Sequence, residues 1–289
     1  MPAPPTDCRV RRAEVLAVRP SGEDGVVLAL RPSPVDPLVN PPENPPVRAG
    51  RFFMLRREDA LSPAIPRPFS VYREREGGVL EFLIKVVGPG TRALSTSAVG
   101  TRVLTVGPLG AGWPTLDGDG APWVMIGGGI GSAPFYMAIQ QALQGMHGAG
   151  AVPASHLTFL YGGRRAGFLY DLDEFTELGV RVLAATDDGS LGFHGNVVEC
   201  LEQQWERGDL PDQVRILTCG PEPMMRAVAR VAADRGLRCW LSLETLMGCG
   251  VGICNGCAVE TVEGGALGKW PVAKCCVDGP VFAASDIRI

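Results

Sequence analysis

The sequence has no long basic stripe. Its 27 Lys and Arg stand against 31 Asp and Glu, giving a net charge of −4 and a pI near 5.5, so nothing favours nucleic acid or an anionic membrane as a partner. It also lacks anything resembling a signal peptide: Met1 to Asp7 is proline-rich and is followed by the charged stretch Arg9 to Glu14. The expectation is a cytoplasmic chain, where disulfides are not expected. A membrane span is missing too, although one stretch imitates it. Ala121 to Ser155 carries no charged residue, with His147 counted as neutral, and Ala121 to Ile139 reads as apolar. A span needs about 20 predominantly apolar residues, whereas Pro122, Gly127, Gly128, Gly129, Gly131 and Pro134 interrupt this one. A buried strand, a glycine turn and a helix explain it better. There is no internal repeat.

What is present is an ordinary globular composition, 289 residues with 46% apolar and 20% charged, enough for two or three cored domains. In the first hundred residues, Arg9–Val18, Gly25–Arg31, Arg51–Arg56, Phe69–Arg75, Val79–Val87 and Arg102–Gly107 are β-branched or alternating and punctuated by Gly or Pro, which predicts strands of a small antiparallel barrel. Pro32 to Pro46 carries seven prolines and cannot be sheet interior; it reads as an extended surface loop, with a polyproline ligand for a partner as the alternative. From Pro122 the rhythm changes. Strands are predicted at Trp123–Ile126, Leu157–Tyr161, Val180–Ala185 and Val214–Cys219, and helices at Ala133–Gln144, Asp171–Leu178, Asn196–Glu206 and Glu222–Arg235. Such alternation means a parallel sheet with helices on both faces. The last fifty residues are rich in Gly and Cys and too short for a large core, so a metal centre would supply the missing stability.

Of nine cysteines, five crowd into Cys249 to Cys276. Cys249, Cys254 and Cys257 form C-x4-C-x2-C, with a fourth cysteine at Cys275 or Cys276. This is the plant-type [2Fe–2S] spacing. Gly248, Gly250, Gly252 and Gly256 let backbone N–H groups approach the sulfurs, where they stabilise added negative charge. Structural zinc is the alternative, but zinc sites usually pair two cysteine knuckles and only one C-x2-C exists here. Cys8, Cys200, Cys219 and Cys239 are scattered and read as buried small hydrophobes.

Gly127, Gly128, Gly129 and Gly131 lie between a strand and a helix that has Pro134 near its start. Glycines admit a pyrophosphate to the backbone and the helix N-terminus favours its charge, although the spacing is not a regular G-x-G-x-x-G and a plain packing turn would look alike. Cys219, Gly220 and Pro221 make a second strand–turn–helix, and ligands bind at the carboxyl ends of parallel strands. Arg164 and Arg165 follow the second strand and suit either a 2′-phosphate or a solvated pair. In the barrel, Arg67-Pro68-Phe69-Ser70 ends one strand, and Leu83-Ile84-Lys85 leads into a turn containing Gly90 and Thr91. Arg, Gly-Thr and Ser would suit a flavin and its pyrophosphate; an ordinary strand and turn would carry the same residues.

The ordered set RPFS, LIKVVGPGT, GPLGAGW, GGGIGSAP, TDDGS, CGPEPMM, CGVGICNGC and KCCVDGPVF resembles the electron-transfer subunit of the class 1B dihydroorotate dehydrogenases, a branch of the ferredoxin–NADP reductase superfamily. The similarity runs from about Val10 to Phe282. It implies three parts: a FAD-binding β-barrel over 7–113, an NAD(P)-binding α/β domain over 114–236 and a [2Fe–2S] domain over 237–289. It implies that Arg67 to Ser70, Leu83 to Lys85, Gly90 and Thr91 hold FAD, and that Cys276, in Cys-Val-Asp-Gly-Pro, is the last cluster ligand rather than Cys275. The Pro32–Pro46 stretch is longer than the family leads one to expect. The resemblance further implies a partner with FMN in a TIM barrel that oxidises dihydroorotate, the two assembling as a heterotetramer. Electrons would pass through [2Fe–2S] and FAD to NAD⁺ in pyrimidine biosynthesis. No acid–base pair for dihydroorotate is visible in this chain. Two rivals keep some of the same parts: the small subunit of a ferredoxin-dependent NADP⁺ transhydrogenase or soluble hydrogenase, and a zinc-containing, non-catalytic nucleotide-binding regulator.

Overall fold

The computed structural model describes residues 8–33, 47–59 and 63–289. Residues 34–46 of the proline-rich stretch lie outside them. Seven strands open the chain: β1 (Arg9–Ser21), β2 (Gly25–Pro32), β3 (Phe52–Arg57), β4 (Arg67–Ser70), β5 (Arg73–Arg75), β6 (Val79–Lys85) and β7 (Arg102–Leu109). They form one antiparallel sheet in the order β4-β3-β7-β1-β2-β6-β5. The sheet curls into a half-barrel, so Phe53 of β3 and Phe82 of β6, four strands apart, meet edge-on with ring centroids 5.8 Å apart. The predicted strand Phe69–Arg75 is two strands, because the chain turns inward at Val71 and Tyr72, both fully buried. The expected turn at Gly90 and Thr91 is instead the start of a short helix, α1 (Pro89–Ser95). Pro89 suits a first helical position, and Thr91 Oγ1 accepts hydrogen bonds from the N–H groups of Val87 and Gly88, at 2.9 and 3.0 Å.

The second unit contains β8 (Trp123–Gly128), α2 (Ala133–Gln144), β9 (Leu157–Gly163), α3 (Leu172–Glu177), β10 (Arg181–Thr186), β11 (Phe193–His194), α4 (Val197–Glu206), β12 (Arg215–Cys219), α5 (Glu222–Asp234) and β13 (Arg238–Ser242). After it come β14 (Ala258–Glu260), β15 (Val272–Lys274) and β16 (Val281–Ala283). The sheet order is β11-β10-β9-β8-β12-β13-β16, parallel except for β16. Every residue of β8 is buried, as a strand covered on both faces must be. The uncharged stretch is therefore a central strand, a glycine turn and a helix; among the described residues no helix is long and apolar enough to cross a membrane. Asn196 caps α4, its Oδ1 accepting from the N–H groups of Val198 and Glu199 while Glu199 accepts from the Asn196 N–H. The sheet continues past residue 236. β13 and β16 both fall in the stretch set apart for the cluster, yet both pair into the nucleotide sheet, and only β14 and β15 stand apart as a hairpin.

The half-barrel and the parallel sheet are joined by buried charge. Asp171, just before α3, accepts hydrogen bonds from Ser21 Oγ at 2.6 Å, Tyr72 Oη at 3.0 Å and Arg19 Nη1 at 2.9 Å, with Arg19 Nη2 on its other oxygen. All three partners belong to the barrel. Arg73 adds an ion pair to Glu174 at 2.9 Å and lies 4.0 Å from the centre of the Tyr136 ring. Burial alone would raise the Asp171 carboxyl; the hydrogen bonds from Arg19, Ser21 and Tyr72 outweigh it and hold the group below the usual carboxylate range. A carboxylate with a lowered folded pKa stabilises the fold at any pH above its unfolded value of about 3.9, and the contribution is lost as pH falls through the folded value. Asp171→Asn keeps the size and tolerates the positive φ of 51°. It is expected to lower stability at neutral pH by about 2–3 kcal/mol, short of the about 3–5 of a fully buried pair because Arg19 remains 39% exposed. In urea unfolding the gap between variant and parent should begin to narrow at about pH 4 and close as pH falls through the lower folded value; a gap that does not narrow with falling pH would show that the charge is not what joins the two units.

Candidate functional site

The carboxyl ends of β8, β9 and β12 face the half-barrel across a cleft of ≈1200 Å³. That exceeds the range of about 300–1000 Å³ that holds one drug-sized ligand, so the space suits two extended ones. From the barrel side come Pro68, Phe69 and Ser70 of β4, Leu83, Ile84 and Lys85 of β6, and Thr91 of α1; from the sheet side come Gly128, Gly129 and Gly131 after β8, and Cys219, Gly220 and Pro221 after β12. The structure thus brings most of the expected flavin and nucleotide residues into one space.

Three expected residues do not line it. Gly127 is still inside β8, where an added Cβ would lie 3.0 Å from the Phe159 ring. Gly90 backs against Pro63 and the Arg67 side chain. Arg67 begins β4 with its side chain exposed, beside the cleft rather than in its wall. Thr91 lines the cleft, but its hydroxyl also donates to the Gly88 carbonyl, so it shapes the α1 turn. The two glycine turns meet directly: a Cβ on Gly131 would come within 2.4 Å of the Cys219 carbonyl oxygen. Glycine at 131 lets both turns reach the same place. Burial pushes the Cys219 thiol up to about 12, so it enters the cleft as a neutral group rather than a nucleophile. Cys200 and Cys239 are buried, as expected of small hydrophobes, while Cys8 and Cys219 are partly exposed.

Several other walls carry no local sequence signal. Phe168 and Tyr170, from the loop after β9, line the cleft. The Tyr170 hydroxyl donates to Asp24 Oδ1 at 2.5 Å, and Asp24 Oδ2 lies 3.5 Å from Lys85 Nζ. The β1–β2 turn therefore ties a cleft lysine of the barrel to a cleft tyrosine of the sheet, a contact across 146 residues that no local pattern announces. Arg165 is drawn to Glu23 and stacks 4.9 Å from the Phe168 ring centre, whereas Arg164 lines the cleft and pairs with no described residue.

Ser242, Leu243, Thr245 and Met247 continue the cleft wall directly into the cysteine loop. Cys249 Sγ accepts from three backbone N–H groups, those of Val251, Ile253 and Cys254, at 3.4, 3.3 and 3.4 Å. Burial raises this thiol, but those donors outweigh it and bring it down to about 7. A sulfur so surrounded is suited to be a thiolate ligand. Cys276 Sγ lies 3.2 Å from Cys257 Sγ. Cys275 and Cys276 are both buried, and burial pushes both thiols up to about 12; what separates them is direction, because Cys275 aims its sulfur at the Leu243 carbonyl, away from Cys257. Among the described residues no three ligating side chains close on a single point; Cys254 reaches Cys249 through its backbone N–H and Cys257 meets Cys276 sulfur to sulfur, a grouping in twos that would suit two irons.

Two stretches of the chain match known families. Residues 125–230 match the family described as an oxidoreductase NAD-binding domain, and residues 244–288 match the iron–sulfur cluster binding domain of dihydroorotate dehydrogenase B. The latter decides for an iron–sulfur centre over zinc. Among solved structures, that of an NADH-dependent reduced ferredoxin-NADP oxidoreductase, studied for flavin-based electron bifurcation, superposes with a TM-score of 0.74 at 26% identity, over 96% of this chain and 89% of that one. An Amycolatopsis cytochrome P450 reductase superposes with a TM-score of 0.63, also at 26% identity, over 79% of this chain and 66% of that one. The matched domains and these flavin reductase-like neighbours support FAD, [2Fe–2S] and NAD as the cofactors. A protein of Geobacillus thermodenitrificans is 34% identical over 82% of this chain and 86% of its own length, and one of Desulforamulus reducens 35% over the same shares; each is named dihydroorotate dehydrogenase B (NAD(+)), electron transfer subunit. At that identity over most of both chains, this chain belongs to the family of dihydroorotate dehydrogenase B electron transfer subunits.

Proposed function

We propose that the chain is the electron-transfer half of a two-subunit dihydroorotate dehydrogenase, pairing with an FMN-bearing TIM-barrel catalytic subunit in a cytoplasmic heterotetramer and serving NAD⁺. The observation that carries this reading lies on β3. Phe52 lines the cleft, and two residues on, Met54 packs so closely under the cysteine loop that a Cβ on Gly250 would lie 2.7 Å from Met54 Cγ. One short strand touches both the flavin cleft and the loop that would hold the cluster, so the two carriers would be neighbours.

In this reading Pro68 to Ser70, Leu83 to Lys85 and Thr91 hold FAD, with Arg67 at the edge of the site and Gly90 backing it; Gly128, Gly129, Gly131 and Cys219 to Pro221 hold the nucleotide, with Gly127 supporting the turn from inside β8; Cys249, Cys254, Cys257 and Cys276 hold the cluster. Bound FAD supplies the exchange between a hydride carrier and a one-electron centre. The chain's own residues bind and orient. The two glycine turns offer backbone to a pyrophosphate, Asp24 holds the Lys85 ammonium at the cleft, and the cysteine loop directs N–H groups at sulfur. Leu246, Val251 and Ile253 flank that loop and are 89%, 41% and 81% exposed, an apolar collar that supports docking of the partner there.

A second reading has its own support. The ferredoxin-NADP oxidoreductase likeness extends over nearly the whole chain, and Arg164 offers the cleft an uncommitted cation suited to a 2′-phosphate. A steady-state preference for NADPH over NADH that Arg164→Ala abolishes would favour it.

Two experiments test the proposal. Cys276→Ser is expected to abolish or strongly perturb the EPR signal of the reduced cluster, and Cys275→Ser to leave it intact; the opposite result would exchange the two assignments. The chain alone should reduce artificial acceptors with NADH but not oxidise dihydroorotate, and adding an FMN-bearing dihydroorotate dehydrogenase subunit from the same source should create dihydroorotate:NAD⁺ activity. Dihydroorotate oxidation by the chain alone, or tight binding to a ferredoxin-linked partner in place of that subunit, would overturn it.

A further inference from the structure

Lys274 ends β15 next to the last two cysteines, and its backbone is fixed there: its N–H donates to Asp278 Oδ2 at 2.7 Å, and its carbonyl accepts from Val277 and Asp278 at 2.9 and 2.8 Å. Its ammonium reaches across to the cysteine loop and donates to the Gly252 carbonyl oxygen at 2.6 Å. That carbonyl belongs to the same peptide unit as the Ile253 N–H, which donates to Cys249 Sγ at 3.3 Å. An ammonium, a peptide group and a sulfur therefore stand in one hydrogen-bonded series. Lys274 forms no ion pair with a described residue; the Asp278 carboxylate is held on its backbone N–H instead.

Gly252 is the joint of this arrangement. Its φ is +81°, and a Cβ there would come 2.7 Å from Val277 Cγ2, so the loop can pass beneath Lys274 only with glycine at this position.

We propose that Lys274 is a positioning residue that raises the reduction potential of the iron–sulfur centre, acting through the Gly252–Ile253 peptide on Cys249. A cation at the carbonyl end polarises the peptide, which makes its N–H a stronger donor to sulfur. One-electron reduction adds negative charge at the cluster, and both the strengthened donor and the nearby cation favour the reduced form. The proposal rests on the reading of these cysteines as [2Fe–2S] ligands and adds a residue that sets how readily the centre accepts an electron.

The test is an EPR-monitored redox titration of the full chain, with iron and acid-labile sulfide measured on the same samples. Lys274→Met is expected to keep its iron and to require a more negative solution potential, the reduced-to-oxidised ratio at a fixed potential falling about tenfold, which is about 59 mV for one electron. Lys274→Arg, which keeps the charge and the donor, should restore most of the shift. Should the Met variant lose iron, Lys274→Gln, which keeps a donor without the charge, takes its place. A parental midpoint in whichever neutral variant holds a full cluster overturns the proposal, and so does an Arg variant that behaves like the neutral one. Absence of a [2Fe–2S] signal from the parent chain would refute the cluster reading itself, an outcome distinct from an unchanged potential.

Discussion

The cleft exists because the half-barrel and the parallel sheet are held in one relative position, and the buried Asp171 carboxylate is central to that. It is 4% exposed and answers to Arg19, Ser21 and Tyr72, all of the half-barrel, from the start of a helix in the nucleotide unit. A carboxylate so placed costs several kcal/mol of desolvation unless its partners are correctly aligned, so small rotations of one unit on the other are opposed. Asp24, Tyr170 and Lys85 extend the same seam to the edge of the cleft. Flavin and nicotinamide must meet at short range for hydride to pass, and this seam sets that range.

The third part of the molecule depends on the same two units. β13 and β16 sew the C-terminal segment into the nucleotide sheet, while Gly250 presses on Met54 and Leu109 of the half-barrel. The cysteine loop is therefore clamped between both units. A small cluster-bearing segment with few buried apolar residues of its own borrows its rigidity from its neighbours and, when loaded, from its metal.

Much of this architecture is legible in the amino-acid sequence, for identifiable reasons. Alternation in β1 and the uniformly apolar β8 reflect faces that are either half or wholly covered, and that periodicity is local. The C-x4-C-x2-C spacing is local as well, and cysteine spacing says little except about ligation. The start of α1 is not legible because Gly88-Pro89-Gly90-Thr91 carries turn chemistry, and only the Thr91 hydroxyl, bonded back to the loop, converts it to a helix start. β16 is hidden because it is three residues long, too short for a pattern to form, and β13, although five residues long, is hidden because it opens the Gly- and Cys-rich stretch whose composition points to a metal centre. Phe168, Tyr170, Asp171 and Lys274 carry no signal at all. Each matters through a partner brought near by the fold, and nothing in the local sequence of Lys274 points to Gly252.

Electron transfer through this chain needs a nucleotide site, a flavin and an iron–sulfur centre as neighbours in series. The most direct measurement is an anaerobic titration of the loaded full chain with NADH, following flavin absorbance and the cluster EPR signal together. Flavin bleaching and the reduced-cluster signal are both expected to develop with NADH as the sole reductant. A flavin that bleaches while a cluster with full iron content stays silent, yet responds to dithionite, would show that the carriers are not in series.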